Sequence, residues 1–287
     1  MPDTVDPARG VPVGRRVRLP GRGTTFVRDV AGPIGAPAVV LLHGLGATAA
    51  INWPGAFDAL SSQFRVVAFD QAGHGRGVRS PWPFRLEDCA DDVARLADVL
   101  GIDRVITVGY SMGGPVALLA RRRHPSLVGG LVLCATSARF AEERPVHSPY
   151  GAAIAASLRL TPPAVRRQLA HTVMRYAARD AAMSPAFVDE VRGHDPAALI
   201  EAGRALGTFD ARPWLAELRC PTASIVTTRD GLVPPSRQLE LARATRASVY
   251  YVHADHLGAV GNRQQFLPAL SAACRSVGAA RDMRPAG

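Results

Sequence analysis

Short β-prone runs alternate with helix-length amphipathic stretches along most of the chain, and this alternation limits the fold more than any other feature. It requires a largely parallel sheet covered by helices. The β-prone runs are Arg16 to Leu19, Thr24 to Val30, Ala38 to Leu42, Arg65 to Asp70, Val105 to Val108, Leu131 to Cys134, Ser224 to Thr227 and Val249 to Val252. The first two, separated by Pro20 and two glycines, can form a hairpin. Ala38-Val39-Val40-Leu41-Leu42 is continuously apolar, as a strand buried on both faces must be. Leu86, Cys89, Val93, Leu96 and Leu100 recur every three or four residues, which is the apolar stripe of a helix lying on a sheet. Gly113 to His124 reads as a second helix, with Pro115 in its first turn.

From about Arg139 to Pro213 the alternation stops. Ala-rich helical segments broken by Pro145, Pro149, Pro162-Pro163 and Pro185 replace it, as expected of an inserted helical cap. The expected organisation is therefore a core of 1–138 and 214–287 with a cap at 139–213, and with 1–14 and 279–287 disordered. No internal repeat interrupts this plan. With 287 residues, 47% of them hydrophobic, one large domain can bury a substantial core.

The N-terminus is polar and rich in Pro, Gly and Arg, without the apolar stretch of a secretory signal, and no run is long enough to span a bilayer. A cytoplasmic protein without integral membrane association is expected. The net charge of +10 raises nucleic acid as a partner, but every cationic residue is Arg, they are scattered, and the tight group Arg121-Arg122-Arg123 falls at a helix C-terminus, where cations complement the dipole. Nucleic-acid binding is not expected. Cys89, Cys134, Cys220 and Cys274 lie far apart without neighbouring ligand spacing, which indicates free thiols and no metal site.

Gly109-Tyr110-Ser111-Met112-Gly113 follows one predicted strand and precedes a predicted helix. A Gly-x-Ser-x-Gly match arises by chance in roughly one chain of this length in ten, so its position carries the weight. In a strand-to-helix turn the serine hydroxyl is lifted above the sheet edge, and glycines let the two elements approach. His43-Gly44-Leu45-Gly46 ends another strand at the same sheet edge. Backbone N–H groups there can stabilise a tetrahedral oxyanion by roughly 3 kcal/mol per donor, and the amides of Leu45 and Met112 are the candidates.

A serine hydroxyl needs a base, and the base needs a carboxylate that fixes its tautomer. Asp230, in the turn after Ser224 to Thr227, is the candidate acid; a plain Asp-Gly turn is the bland alternative. Two histidines, His253 and His256, follow the last strand. His256, in the loop, is preferred over His253, which continues the strand. His43, Asp70 and His74 read as loop-fixing residues.

Taken together, these features resemble the α/β-hydrolase superfamily over nearly the whole length outside the cap. The resemblance rests on His43-Gly44-Leu45-Gly46, the Asp70 to Gly75 loop, the Ser111 turn, the Asp230 loop and His256, in that order. It implies an α/β fold with a mostly parallel eight-stranded sheet flanked by helices, a Ser-His-Asp triad, no cofactor, and a cap that shapes the acyl pocket. Asp255 stands where such proteins commonly carry Gly before the histidine, and Ala72 where the loop commonly carries Arg. Phe140, Met174, Tyr176 and Leu257 are candidate pocket residues. The expected activity is carboxylesterase-like cleavage of a small-molecule, ester-like substrate. Carbon–carbon bond hydrolysis, thioester or lactone hydrolysis and cofactor-free perhydrolysis are alternatives on the same fold.

Two rivals come from other classes. Gly44-Leu45-Gly46-Ala47-Thr48-Ala49, with Asp70 at the end of the next strand, also fits a dinucleotide fingerprint, although Trp53-Pro54-Gly55 interrupts the helix such a site needs. The other is a non-catalytic binding protein on a hydrolase scaffold.

Overall fold

The structure, a computed structural model, describes residues 5–6, 11–140, 160–162, 165, 190 and 192–280. In chain order its elements are β1 (Val5–Asp6), β2 (Val11–Pro12), β3 (Arg15–Leu19), β4 (Gly23–Val30), β5 (Ala38–Leu42), α1 (Ala49–Asn52), α2 (Ala56–Leu60), β6 (Arg65–Phe69) and α3 (Leu86–Leu100). There follow β7 (Val105–Tyr110), α4 (Gly113–Arg123), β8 (Val128–Cys134), α5 (Pro196–Thr208), β9 (Thr222–Thr227), α6 (Pro235–Ala244), β10 (Ser248–Val252), α7 (Gly258–Gly261) and α8 (Arg263–Gly278).

Strands β3 to β10 form one eight-stranded sheet in the order β10-β9-β8-β7-β5-β6-β4-β3. Only β4 runs against the others, because it pairs antiparallel with both β3 and β6. Every run read as a strand is therefore in the sheet. Strand β8 begins three residues before the expected Leu131, since Gly129 and Gly130 carry no side chain to announce it.

The apolar run of β5 serves two cores at once. Val40 and Leu42 point to the side covered by α3 and α4, Val39 and Leu41 to the side covered by α2 and α8. Alternate burial of this kind contributes about 1.5–3 kcal/mol for each fully buried large side chain. The stripe of α3 lies on the first side, with Leu86, Cys89, Val93 and Leu96 buried.

The chain leaves the core after β8 and returns before β9. Arg139 and Asp210 form an isolated antiparallel bridge, and the Ala211 N–H donates to the Ala138 carbonyl at 2.8 Å. Both ends of the expected insert thus meet at one point, and β8 pairs directly with β9. Residues 11–14 differ from the expectation of disorder: β2 pairs with β1, Val11 is buried, and Arg28 donates to the Pro12 carbonyl at 3.0 Å. Composition alone could not reveal a short strand tied down by a buried arginine sixteen residues on in the chain's own hairpin.

Among the described residues, no helix is long and apolar enough to cross a membrane. Cys89, Cys134 and Cys274 are buried and Cys220 is half-buried, all as free thiols.

Candidate active site

The chain passes from β5 to β6 on one side and then crosses through α3 to β7 on the other side of β5, so the crevice above the β5–β7 pair is the topological switch point of the sheet, where open α/β sheets bind ligands. Leu42 and Gly109 are register partners in that pair. This neighbourhood brings the His43–Gly46 loop and the Ser111 turn together.

Ser111 sits at φ 50, in the left-handed region that an L-residue occupies only under constraint. Its N–H donates to the Cys134 carbonyl at 2.9 Å, and its own carbonyl accepts from the Thr136 hydroxyl at 2.8 Å and the Gly114 N–H at 2.9 Å. Both flanking glycines are required by space. A Cβ on Gly109 would run into the Gly113 carbonyl, and one on Gly113 into the Leu42 carbonyl. Gly114, which the five-residue pattern does not include, is equally confined by the Thr136 side chain.

The three predicted catalytic groups come together. His256 Nε2 lies 2.9 Å from Ser111 Oγ, and His256 Nδ1 lies 2.8 Å from Asp230 Oδ2. The remaining lone pairs of Asp230 are occupied: Oδ1 accepts from the Leu232 and Val233 N–H groups, and Oδ2 also accepts from the Thr227 hydroxyl at 2.8 Å. Gln238 Nε2 approaches Oδ2 at 3.3 Å from α6. Burial alone would raise the Asp230 pKa; the hydrogen bonds from His256, Val233 and Thr227 outweigh it and hold the carboxyl below its ordinary value. An ionised Asp230 that accepts from His256 Nδ1–H leaves Nε2 free to accept the Ser111 proton.

His253 stands apart. Its Nδ1 pairs with the Thr228 hydroxyl at 2.9 Å and its N–H donates to Gln265 Oε1, on the exposed side of the strand end.

The candidate oxyanion donors flank Ser111. Met112 is the first residue of the turn into α4, with its side chain fully buried in the α3–α4 core. The Gly44 N–H is taken by Asn52 Oδ1 at 2.9 Å, and Gly44 packs against Ser111, where an added Cβ would stand 3.3 Å from the serine Cβ. No described residue accepts a hydrogen bond from the Leu45 or Met112 N–H. Asn52 is thus a support that sequence reasoning missed; so are Thr227 and Gln238. Nothing in their spacing marks them, because each acts through a fold-made contact.

The loops beneath the site are fixed as expected, with one addition. His43 Nε2 accepts from the Gln71 N–H at 2.9 Å while Nδ1 pairs with the Gly44 carbonyl at 2.8 Å, which makes it a neutral structural imidazole. Asp70 receives the Ala49 and Arg76 N–H groups at 3.0 Å each. His194, from the far end of the expected insert, accepts from the Gly75 N–H at 2.8 Å and faces the Gly46 carbonyl at 3.1 Å. The rings of His43, His74 and His194 form a buried group, with centroids 5.1 and 5.5 Å from His74.

Burial pushes His43 down to about 3 and His194 to about 4, and His74 well below its ordinary value. In an unfolded chain each takes a proton near 6.5. The unfolded state therefore binds more protons as pH falls, and stability present above about 6.5 is lost progressively towards 4. Thermal melts between these pH values should show a steadily falling Tm; a flat profile would contradict the assignment of three neutral buried imidazoles.

Of the candidate pocket residues, Phe140 packs half-buried against the α3–α4 core, and Leu257 is 65% exposed beside His256. Met174 and Tyr176 lie outside the described residues. The dinucleotide reading finds no support. The helix after the Gly-rich loop is a single turn, α1, and Asp70 is buried and fully engaged by loop amides, out of reach of a ribose.

Comparison with known proteins bears on the fold and the family. Residues 37–261 match a family model described as alpha/beta hydrolase fold. A protein named "Putative carbamate hydrolase RutD" in Rhizobium rhizogenes is 30% identical over 74% of this chain and 82% of its own length. Its namesake in Caulobacter segnis is 38% identical, but this match spans only 35% of the chain and 39% of that protein. Among solved structures, the enol-lactonase from Burkholderia xenovorans LB400 superposes with a TM-score of 0.73 at 26% identity, covering 91% of this chain and all of the other.

Proposed function

This chain belongs to the α/β-hydrolase family, and we propose that it is a serine hydrolase with Ser111 as nucleophile, His256 as base and Asp230 as the carboxylate that orients the base. The continuous hydrogen-bonded line from Ser111 Oγ through His256 to Asp230, at 2.9 and 2.8 Å, carries the reading. The Ser111 oxygen attacks an ester-like carbonyl while His256 Nε2 takes its proton. Asp230 stabilises the imidazolium that results, and the Leu45 and Met112 amides receive the developing oxyanion. Collapse expels the leaving group, which takes the proton from His256 and leaves an acyl-serine. Water, deprotonated by the same imidazole, then releases the acid.

The bond cleaved is proposed to be that of a carboxylic ester in a small or acyl-chain substrate, with the 139–213 insert shaping the acyl pocket. The named carbamate hydrolase and enol-lactonase relatives widen this to carbonyls bearing a heteroatom leaving group. A chain-length series of p-nitrophenyl esters tests it: turnover is expected, greatest for short acyl groups. If no ester, carbamate or lactone is cleaved by protein whose Ser111 still reacts with a fluorophosphonate, the substrate class is wrong and carbon–carbon or thioester cleavage must be sought.

A further inference from the structure

Tyr110, the residue immediately before the nucleophile, holds the base from behind. Its hydroxyl donates to the main-chain carbonyl of His256 at 2.8 Å and accepts from the Ala259 N–H at 3.4 Å. The N–H on the other side of the same peptide unit, that of Leu257, donates to Asp255 Oδ1 at 2.9 Å. The peptide joining His256 to Leu257 is therefore gripped at both its polar atoms, and its plane is fixed. That plane sets the direction in which the His256 ring leaves the backbone. The Tyr110 ring is itself wedged edge-on against Trp53 and Phe266, with centroid distances of 6.1 and 5.8 Å, so the hydroxyl is a rigid anchor.

We propose that Tyr110 and Asp255 form a clamp on the His256–Leu257 peptide that positions the base, making Tyr110 a positioning residue for the proton transfer from Ser111. This rests on the serine-hydrolase reading given above. Burial raises the Tyr110 pKa, so the phenol stays protonated and keeps its role as donor. Neither side chain needs to touch substrate. Substrate affinity should thus be insensitive to their loss, whereas the proton transfer should not.

Tyr110→Phe removes the hydroxyl and keeps the wedged ring. Its kcat is expected to fall about tenfold, consistent with the steep dependence of such transfers on geometry, with KM within twofold of the parent protein. The fluorophosphonate labelling rate of Ser111 should drop in step with kcat, and Tm should change little. Asp255→Ala, on an exposed side chain, should shift kcat and labelling in the same direction. The inference is overturned if Tyr110→Phe retains kcat within twofold, if KM alone changes, or if kcat falls only in proportion to a loss of Tm. Should Tyr110→Phe fail to fold, Asp255→Ala decides in the same terms. Ser111→Ala is run alongside: hydrolysis surviving in it removes the parent reading, and the clamp with it, whatever Tyr110→Phe does.

Discussion

Ser111→Ala should lower kcat by roughly four to six orders of magnitude and abolish fluorophosphonate labelling, with KM little changed. The size follows from what is lost. Without Oγ no acyl-enzyme can form, and the only route left is direct attack by water held near His256, helped by the oxyanion amides. Those amides and ordinary binding leave a residual rate above the uncatalysed reaction, so the variant should be measurably slow and not identical to buffer. Alanine also removes little from the fold. Ser111 is strained at φ 50, and its backbone bonds to Cys134, Thr136 and Gly114 do not involve the hydroxyl. The variant should therefore melt at or near the parent temperature. A Ser111→Ala protein with more than a percent of parent activity would show that the nucleophile lies elsewhere.

The centre of the sheet was legible because β5 to β9 are buried on both faces and their apolar runs need no partner to be recognised; Val39 to Leu42 is the clearest case. The Ser111 turn and the Asp230 turn were legible as turns for a related reason, since both are local: Gly109, Ser111 and Gly113 are neighbours in sequence, and Asp230 closes its own turn onto Leu232 and Val233. What escaped the sequence is support that arrives from a distance. Asn52 reaches Gly44 across eight residues, Gln238 reaches Thr227 and Asp230 from a separate helix, and His194 reaches Gly75 and Gly46 from the far end of the insert. A glutamine or asparagine that saturates a loop amide has no periodicity and no preferred neighbour. It can be found only once the register of β5 against β7 and of β9 against β10 places the loops.

The same distinction explains why two histidines could not be ranked firmly by spacing. His253 and His256 are three residues apart, and either could face the sheet edge. The register Val252↔Thr227 places His253 level with Thr228, which its ring duly meets, while the turn from Asp255 to Gly258 carries His256 back over the strand ends. Ala254, buried between them, pins that reversal.

Asp230→Asn should lower kcat by about four orders of magnitude at neutral pH, and the hydrogen-bond pattern dictates the mechanism of that loss. Asp230 Oδ1 accepts from two backbone N–H groups, those of Leu232 and Val233. An asparagine there must turn its carbonyl oxygen to them, because its NH2 group cannot accept. The NH2 then faces His256 Nδ1, which can only meet it as an acceptor. The proton of the neutral imidazole is thereby driven onto Nε2, the atom that must be bare to take the Ser111 proton across 2.9 Å. The base is present, correctly placed and in the wrong tautomer. Fluorophosphonate labelling should slow in parallel, while the near-isosteric change leaves the fold intact. His256→Ala should lose activity to a similar degree, and His253→Ala should stay within a few-fold of the parent, since among the described residues its ring pairs with Thr228 and not with Ser111 or Asp230. An inactive His253→Ala beside an active His256→Ala would reverse the assignment of the base, and an active Asp230→Asn would show that another group sets the tautomer of His256.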